Sequence, residues 1–162
     1  MRSWKAGIWT HPRSRVSHHG KHLNFLATIR SYWESRDCGM EEDVSKINIA
    51  EKFAKISEYY KPHIAAELNG QMLKLVKANT EFVWHHHDNE DEMFLVVKGR
   101  FRMEFRDRHE WIEEGEFIVV PRGVEHRPVA EQEVWILLFE PASTLNTGNV
   151  VNERTQHDLE RV

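Results

Sequence analysis

The sequence predicts an all-β domain with a single helix at its start. Eight or more short apolar runs lie between residues 63 and 140, and Gly, Pro, Asn and Asp separate them at close intervals. The clearest run is 100–106, in which Phe101, Met103 and Phe105 alternate with charged residues. Such alternation is typical of a strand with one face in the core and the other in water. We therefore expect these three side chains to lie inside the domain.

The helix is predicted over residues 48–60. Four apolar residues recur at spacings of three and four, namely Ile49, Phe53, Ile56 and Tyr60. Asn48, followed three residues later by Glu51, has the pattern of a capping box, and Pro62 ends the helix. The helix therefore has one apolar face to bury.

The strands begin with a hairpin of two runs, 63–68 and 71–77, joined by the turn sequence Asn69-Gly70. A strand over 81–87 and its returning partner over 92–98 follow. Later strands are predicted over 100–106, 110–112, 115–120 and 134–139. Residues 143–149 are rich in turn formers and are interpreted either as a lid or as an edge segment without function.

The predicted strand 81–87 carries the first candidate site. Side chains alternate along a strand, so His85 and His87 face the same way, roughly 7 Å apart. The next strand begins with Glu92, whose carboxylate can turn toward them, although Asp91 is an alternative. Imidazole and carboxylate together suit a divalent transition metal.

A second stretch, residues 115–126, supplies one more imidazole. A short apolar strand runs into a turn that contains Pro121 and Gly123, and the chain continues with His126. Proline restricts one dihedral angle of this turn, and glycine permits the unusual one. The turn therefore redirects the chain and presents His126.

The two stretches together resemble the two motifs of the cupin superfamily, and in particular the small single-domain bacterial cupins. The first motif is His-x-His, with Glu after four residues and Gly, here Gly99, after six more. The second is Gly-x5-Pro-x-Gly-x2-His, which begins at Gly115. Two outer positions differ, since Asn79 and Ala130 stand where the family has Gly and Asn.

The resemblance implies a cupin jelly roll, a double-stranded β-helix barrel, over about residues 63–140 within one domain of residues 40–162. It also implies one divalent transition metal, Fe, Mn, Ni or Zn. The implied metal ligands are His85, His87, Glu92 and His126. By strand parity, the apolar residues expected to line the pocket are Phe94, Phe101, Met103 and Phe105.

Three functions remain open at this point. Two open metal positions favour an oxygenase-type enzyme that acts on a small organic molecule. A metal-assisted sugar or sugar-phosphate isomerase or epimerase is the alternative within the same superfamily. From a different class, a cupin that binds a small molecule without catalysis fits the same residues.

Charge and composition narrow the partners. Residues 1–39 carry seven Lys and Arg against two acidic residues, whereas residues 40–162 carry fifteen against twenty-four. An acidic domain argues against nucleic acid as a partner, because phosphate contacts need a basic surface. No apolar run is long enough to cross a bilayer, so we expect a soluble protein with no membrane partner. The single cysteine, Cys38, fits a reducing compartment, so we expect the protein in the cytoplasm.

Residues 1–39 lack a clean helical or strand period, so we expect little order there. Since the well-patterned domain opens at Met40, an over-extended reading-frame start is the first interpretation. A genuine flexible extension and a targeting segment are the alternatives.

A homodimer is also predicted. Met93, Leu95 and Val97 share a strand with the inward Phe94 and Val96, so the strand is apolar on both faces. An apolar outer face needs cover, and a second copy of the chain would supply it.

Overall fold

The computed structural model describes residues 45–162, which form one compact unit. The predicted extension over 1–39 lies outside the described residues. A short helix precedes seven strands in this part of the chain. They are α1 (Ile49–Phe53), β1 (His63–Leu68), β2 (Gln71–Glu81), β3 (Glu92–Lys98), β4 (Arg100–Phe105), β5 (His109–Glu113), β6 (Phe117–Val120) and β7 (His126–Pro141).

The strands pair antiparallel in the order β1-β2-β7-β3-β6, and β4 joins β7 to β5. The long strand β7 contacts β2, β3 and β4, so it connects the parts of the sheet. This is the jelly roll that the sequence predicts, with one short helix. The hairpin at Asn69-Gly70 is also confirmed, and Asn69 has the left-handed φ of 52° that such a turn requires.

The interior of the barrel holds the side chains that strand alternation assigns to it. Phe101 and Met103 are completely buried, and Phe94, Val96 and Phe105 join them in one cluster. A second cluster lies on the outer face of the sheet. It consists of Phe53, Ile56, Leu75 and Leu137, and Met93, Leu95 and Val97 pack against it half-buried.

The helix is shorter than predicted, because it ends at Phe53 and not at Tyr60. Asn48 caps it as expected, accepting hydrogen bonds from the backbone N–H groups of Ala50 and Glu51. Ile56 then donates to the Phe53 carbonyl, which tightens the last turn. Contacts with β2 account for the difference, since Tyr59 makes a β-bridge with Lys77 and the Tyr60 N–H donates to the Lys77 carbonyl.

The predicted strand 81–87 is not formed as a separate strand. Glu81 ends β2, and beyond it only His85 makes a β-bridge, with His126. Phe82 also donates to the Pro128 carbonyl of β7, whereas Gly123 donates to the His87 carbonyl and Asn149 pairs with both backbone groups of His86. The segment is therefore hydrogen-bonded partly to β7 and partly to loop residues.

The last strand is longer than predicted. Residues 126–141 form one strand, although the sequence favoured a turn and a separate strand over 134–139. The continuous partner β2 explains this, because Ala78 pairs with Val134 and Thr80 pairs with Ala130, on either side of a register shift. The polar residues 131–133 are absorbed at that irregularity.

Among residues 45–162, no helix is long and apolar enough to cross a membrane.

Candidate metal centre

Three separate parts of the fold bring the predicted ligands together. His85 and His87 lie on the segment that follows β2, Glu92 is the first residue of β3, and His126 is the first residue of β7. The backbone N–H of His85 donates to the His126 carbonyl, and that of His126 donates to the His85 carbonyl, at 3.1 and 2.9 Å. This reciprocal pair fixes the two imidazoles side by side at the end of the barrel interior.

The four side chains form a compact buried cluster. Each offers one ligand atom, and these atoms all lie within 4.8 Å of one another. His87 Nε2 lies 3.1 Å from Glu92 Oε2, and His126 Nε2 lies 3.4 Å from the same oxygen. None of the four residues is more than 4 % exposed, so bulk water does not hydrogen-bond to their polar atoms.

In His85 and His126, the ring nitrogen Nδ1 makes a hydrogen bond, so Nε2 remains available to bind a metal at the centre of the cluster. His85 Nδ1 lies 3.0 Å from the Val83 carbonyl, and His126 Nδ1 lies 2.9 Å from the Val124 carbonyl. A carbonyl oxygen only accepts, so in each case Nδ1 carries the proton and Nε2 keeps its lone pair. This is the arrangement that outer hydrogen bonds impose on metal-binding histidines.

One atom of the cluster has no partner at all among the described residues. His126 Nε2 is buried and makes no hydrogen bond. An unpaired buried nitrogen costs free energy, and a cation at the centre of the cluster would remove that cost. Three imidazole nitrogens and one carboxylate oxygen therefore fit a divalent transition metal.

The electrostatics keep the ligands in their metal-binding forms. Burial, with the neighbouring His126, lowers the pKa of His85 to about 4, so the imidazole stays neutral at neutral pH. Burial alone would raise the pKa of Glu92, but the adjacent imidazoles of His126 and His87 lower it below its ordinary range. The carboxylate therefore stays charged.

A small cavity of about 40 Å³ adjoins His85 and Glu92. Most of its walls are apolar. They include Val76, Ala78, Phe82, Phe94, Ile136 and Leu138. Of the predicted lining residues, Phe94 lies on this cavity, whereas Phe101, Met103 and Phe105 pack in the barrel core without lining it. Strand parity sets the inward direction of a side chain, but it does not say at which height along the barrel the side chain lies.

Two neighbours of the ligands are placed away from the centre. His86 lies 3.1 Å from Asp88 through Nε2 and is partly exposed, so its ring is directed away from the cluster. Asp91, the alternative to Glu92, accepts a hydrogen bond from the backbone N–H of Arg122 and holds the second-motif turn.

The sequence did not reveal a buried ion pair inside the barrel. Lys74 Nζ lies 2.8 Å from Glu140 Oε1, and both side chains are only 1 % exposed. Burial, together with the charge of Glu92, raises the pKa of Glu140. Strand alternation could have revealed it. Lys74 lies two residues before the inward Val76, and Glu140 lies two residues after the inward Leu138, so both side chains face the interior.

The turn-rich residues 143–149, whose role the sequence left open, contact the segment that carries His85 and His87. A Cβ atom at Gly148 would lie 2.1 Å from the His86 carbonyl oxygen and 3.2 Å from His87 Nδ1. Asn149 holds the His86 backbone from the same side. Residues 148 and 149 therefore support the segment that carries two of the four ligands.

An antiparallel jelly roll with a buried His3Glu cluster at one end of its interior defines a class of small β-barrel proteins. Comparison with known proteins identifies the family: a family model described as a cupin domain matches residues 72–139. A cupin-2 domain containing protein from Shewanella frigidimarina is 42% identical, over 59% of this chain and 93% of that chain, with a TM-score of 0.58. This chain belongs to the cupin family.

Two further proteins are similar to this chain. The crystal structure of protein NMB1881 from Neisseria meningitidis is 34% identical, over 60% of this chain and 100% of that chain, with a TM-score of 0.56. The uncharacterized protein YdbB of Bacillus subtilis is 27% identical over 74 residues, which are 45% of this chain and 66% of YdbB.

Proposed function

We propose that this protein is a metal-dependent enzyme of the oxygenase type that acts on a small organic molecule. His85, His87, Glu92 and His126 are its metal ligands in this proposal. When bound, a divalent transition metal would supply open coordination positions for a small substrate and, if redox-active, for dioxygen chemistry. The unpaired, buried Nε2 atom of His126 is the observation that carries the metal site.

The cavity beside the ligands favours the oxygenase over the sugar isomerase. Apart from His85 and Glu92, its walls offer polar side-chain groups only from Tyr60 and Asn146. A sugar that entered would bury several hydroxyl groups without partners, and each would cost free energy. A substrate whose reacting end is mainly apolar would match these walls.

The ligand set is tested with a matched pair of neighbouring histidines. We expect His85→Ala to lose most of the bound metal, because it removes one of four ligands. His86→Ala should keep the metal, since His86 faces Asp88 and not the cluster. Metal content after loading with Fe²⁺, Mn²⁺ or Ni²⁺ and gel filtration is the measurement, and equal metal content in the two variants would contradict the assignment.

The reaction type is tested with the same loaded proteins. A panel of diols, flavonols and thiols is offered in air, and dioxygen uptake is followed with an electrode. Sugars and sugar phosphates are offered without air. Turnover only in the anaerobic sugar panel would overturn the oxygenase in favour of the isomerase, whereas retention of a ligand without any turnover would indicate a binding protein.

A further inference from the structure

The cavity at the ligands is too small for the body of a substrate. Its volume of about 40 Å³ has room for a few water molecules. Ligand pockets in proteins are usually of roughly 300–1,000 Å³. A substrate could therefore place only its reacting end beside His85 and Glu92, and the rest of it needs another space.

A second pocket of about 440 Å³ opens at the surface and offers that space. Tyr60 lines both this outer pocket and the inner cavity. The outer pocket also includes Thr80, Lys61 and Arg154. The Tyr60 side chain thus stands between the two spaces.

Tyr60 is held in place by contacts, in an unusual backbone conformation. Its φ is 57° and that of Thr80 is 74°, both in the left-handed region that non-glycine residues seldom adopt. The Tyr60 hydroxyl donates to the Thr80 carbonyl at 2.6 Å, and its ring stacks on Phe82 at 5.0 Å. Phe82 in turn meets His85 edge-on at 5.5 Å. Residues held by their surroundings in such a seldom adopted backbone conformation cluster at ligand-binding and switch regions.

Arg154 covers this partition from the outer side. Its guanidinium lies 5.2 Å from the centre of the Tyr60 ring and 5.8 Å from that of Phe82. It donates one hydrogen bond, to the Glu81 carbonyl at 2.9 Å, and forms no ion pair with a carboxylate of residues 45–162. Several of its donors therefore remain for a ligand, and the planar guanidinium suits a carboxylate.

The other charges around the outer pocket restrict the ligand's charge. Lys61 already pairs with Glu58 and Glu160, so its charge is compensated. Glu153 lines the pocket and would repel a strongly negative ligand. Glu58 also lines the pocket but pairs with Lys61, so one cation and one carboxylate remain without an ion pair among the described lining residues. This balance favours a ligand with a single negative charge over a phosphate dianion.

We propose that the outer pocket is the substrate entrance, in which Arg154 anchors a monocarboxylate while Tyr60 gates the passage to the metal site. This inference rests on the proposed function, since it gives the substrate of that same site a carboxylate group. Tyr60 and Arg154 act here on binding and access, and neither is proposed to take part in the chemical step.

The anchor is tested with benzoate, phenyl phosphate and benzamide, which carry a monoanion, a dianion and no charge on the same ring. Calorimetric titration of the full chain, metal-free and loaded with Mn²⁺, measures each affinity. We expect benzoate to bind most tightly, and Arg154→Gln to weaken it about tenfold or more, because a charge-assisted hydrogen bond is lost. Arg161→Gln is the control, since Arg161 pairs with Glu67 and does not line the pocket.

The gate is tested by the rate at which 1,10-phenanthroline removes Mn²⁺, followed at several chelator concentrations. Tyr60→Ala should raise the chelator-dependent rate about tenfold or more, whereas Tyr59→Ala should not, since Tyr59 lines only the outer pocket. Tyr60→Phe keeps the ring and loses the bond to Thr80, so its rate should lie between them. It also covers the case in which Tyr60→Ala fails to fold.

Failure of this inference is distinguishable from failure of the proposed function. Benzoate that binds Arg154→Gln as tightly as the parent protein, or does not bind the parent, overturns the anchor. Preference for phenyl phosphate overturns the monocarboxylate. Equal metal-removal rates in the parent and the Tyr60 variants overturn the gate. A parent protein that takes up no metal overturns the proposed function, while benzoate titration of the metal-free protein still decides the anchor.

Discussion

His85 combines two properties that a metal ligand needs. The Val83 carbonyl selects its tautomer, and burial lowers its pKa to about 4, so protons do not compete with a metal near neutral pH. Both effects come from neighbours that the fold supplies. An isolated His-x-His peptide would have neither.

The lowered pKa of His85 predicts an acid-sensitive metal-free protein. His85 takes up a proton near pH 6.5 in the unfolded chain and only near pH 4 in the folded chain. Its full contribution to the unfolding free energy is therefore present above pH 6.5 and is lost as the pH falls from 6.5 to about 4. The shift corresponds to roughly 3 kcal/mol of unfolding free energy. Urea unfolding of the chelator-treated protein at several pH values measures the loss.

His85→Gln is the control for this pH dependence. The raised pKa of Glu140 acts in the opposite direction, because it lowers the unfolding free energy as the pH rises above the ordinary carboxyl range. Both proteins share this contribution. The steeper fall of the parent between pH 6.5 and 4 is therefore due to His85. Parallel stability curves for the two proteins would contradict the assignment.

Gly148 is predicted to support the ligand segment. Gly148→Ala should lower both stability and metal affinity, because its Cβ would lie 2.1 Å from the His86 carbonyl oxygen and would push that segment. Gly115→Ala is the matched control, since Gly115 also has a positive φ, of 84°, but nothing lies within 4 Å of its added Cβ. It should cost only the backbone strain, about 1–2 kcal/mol.

Thermal unfolding and metal titration of the two variants measure this difference. A Gly148 variant with the metal affinity of the Gly115 variant would show that the tail does not support the ligands.

At the scale of elements, β2 and β7 share the buried pair of Lys74 and Glu140. The Lys74 ammonium also donates to the Thr144 carbonyl at 3.1 Å, so the pair links both strands to the tail. Glu140 Oε2 has no hydrogen-bond partner among the described residues. The pair is therefore an incompletely satisfied polar group inside the barrel.

Breaking this pair should be far more costly than replacing it. Lys74→Met leaves a buried carboxylate alone and should cost about 3–5 kcal/mol of unfolding free energy. The double change Lys74→Met with Glu140→Leu should recover most of that loss, because no unpaired charge remains. Urea unfolding measures both.

Lys61→Met is the control for the lysine change. Its pair with Glu58 is exposed to water, so its loss should be much smaller. A double variant as unstable as the single one would show that the pair itself stabilises the barrel.

At the scale of the whole molecule, an apolar patch extends across the outer face of β3 and β6. Phe117 and Val119 are 63% and 49% exposed on β6, and they pair with Leu95 and Met93 on β3. Among the described residues, β6 pairs only with β3, so it forms an edge of the sheet. A patch of this kind is typical of a contact with another protein surface.

We predict that this patch is the interface of a homodimer. Phe117→Glu should yield a monomer at micromolar concentration, because the charge would be buried in the contact. Val151→Glu, at a valine that is 78% exposed, should leave the dimer intact. Light scattering during gel filtration gives the mass, and a monomeric parent protein would contradict the prediction.

Local sequence was sufficient for several features of this molecule. Alternation predicted the inward residues of β3 and β4, and Asn69-Gly70 predicted the hairpin, because side-chain direction and turn conformation depend on adjacent residues. The resemblance to the two cupin motifs pointed to His85, His87, Glu92 and His126, and the structure brings one ligand atom of each within 4.8 Å of the others.

Other features depended on contacts between residues far apart in the chain. Pairing with Lys77 on β2 takes Tyr59 and Tyr60 out of the predicted helix. Asn149 and Gly123 bind the backbone of His86 and His87, where strand partners were expected. The meeting of Tyr60 with Arg154 joins residues almost a hundred positions apart. A local pattern shows which face of an element is apolar, but packing decides where the element ends and what covers it.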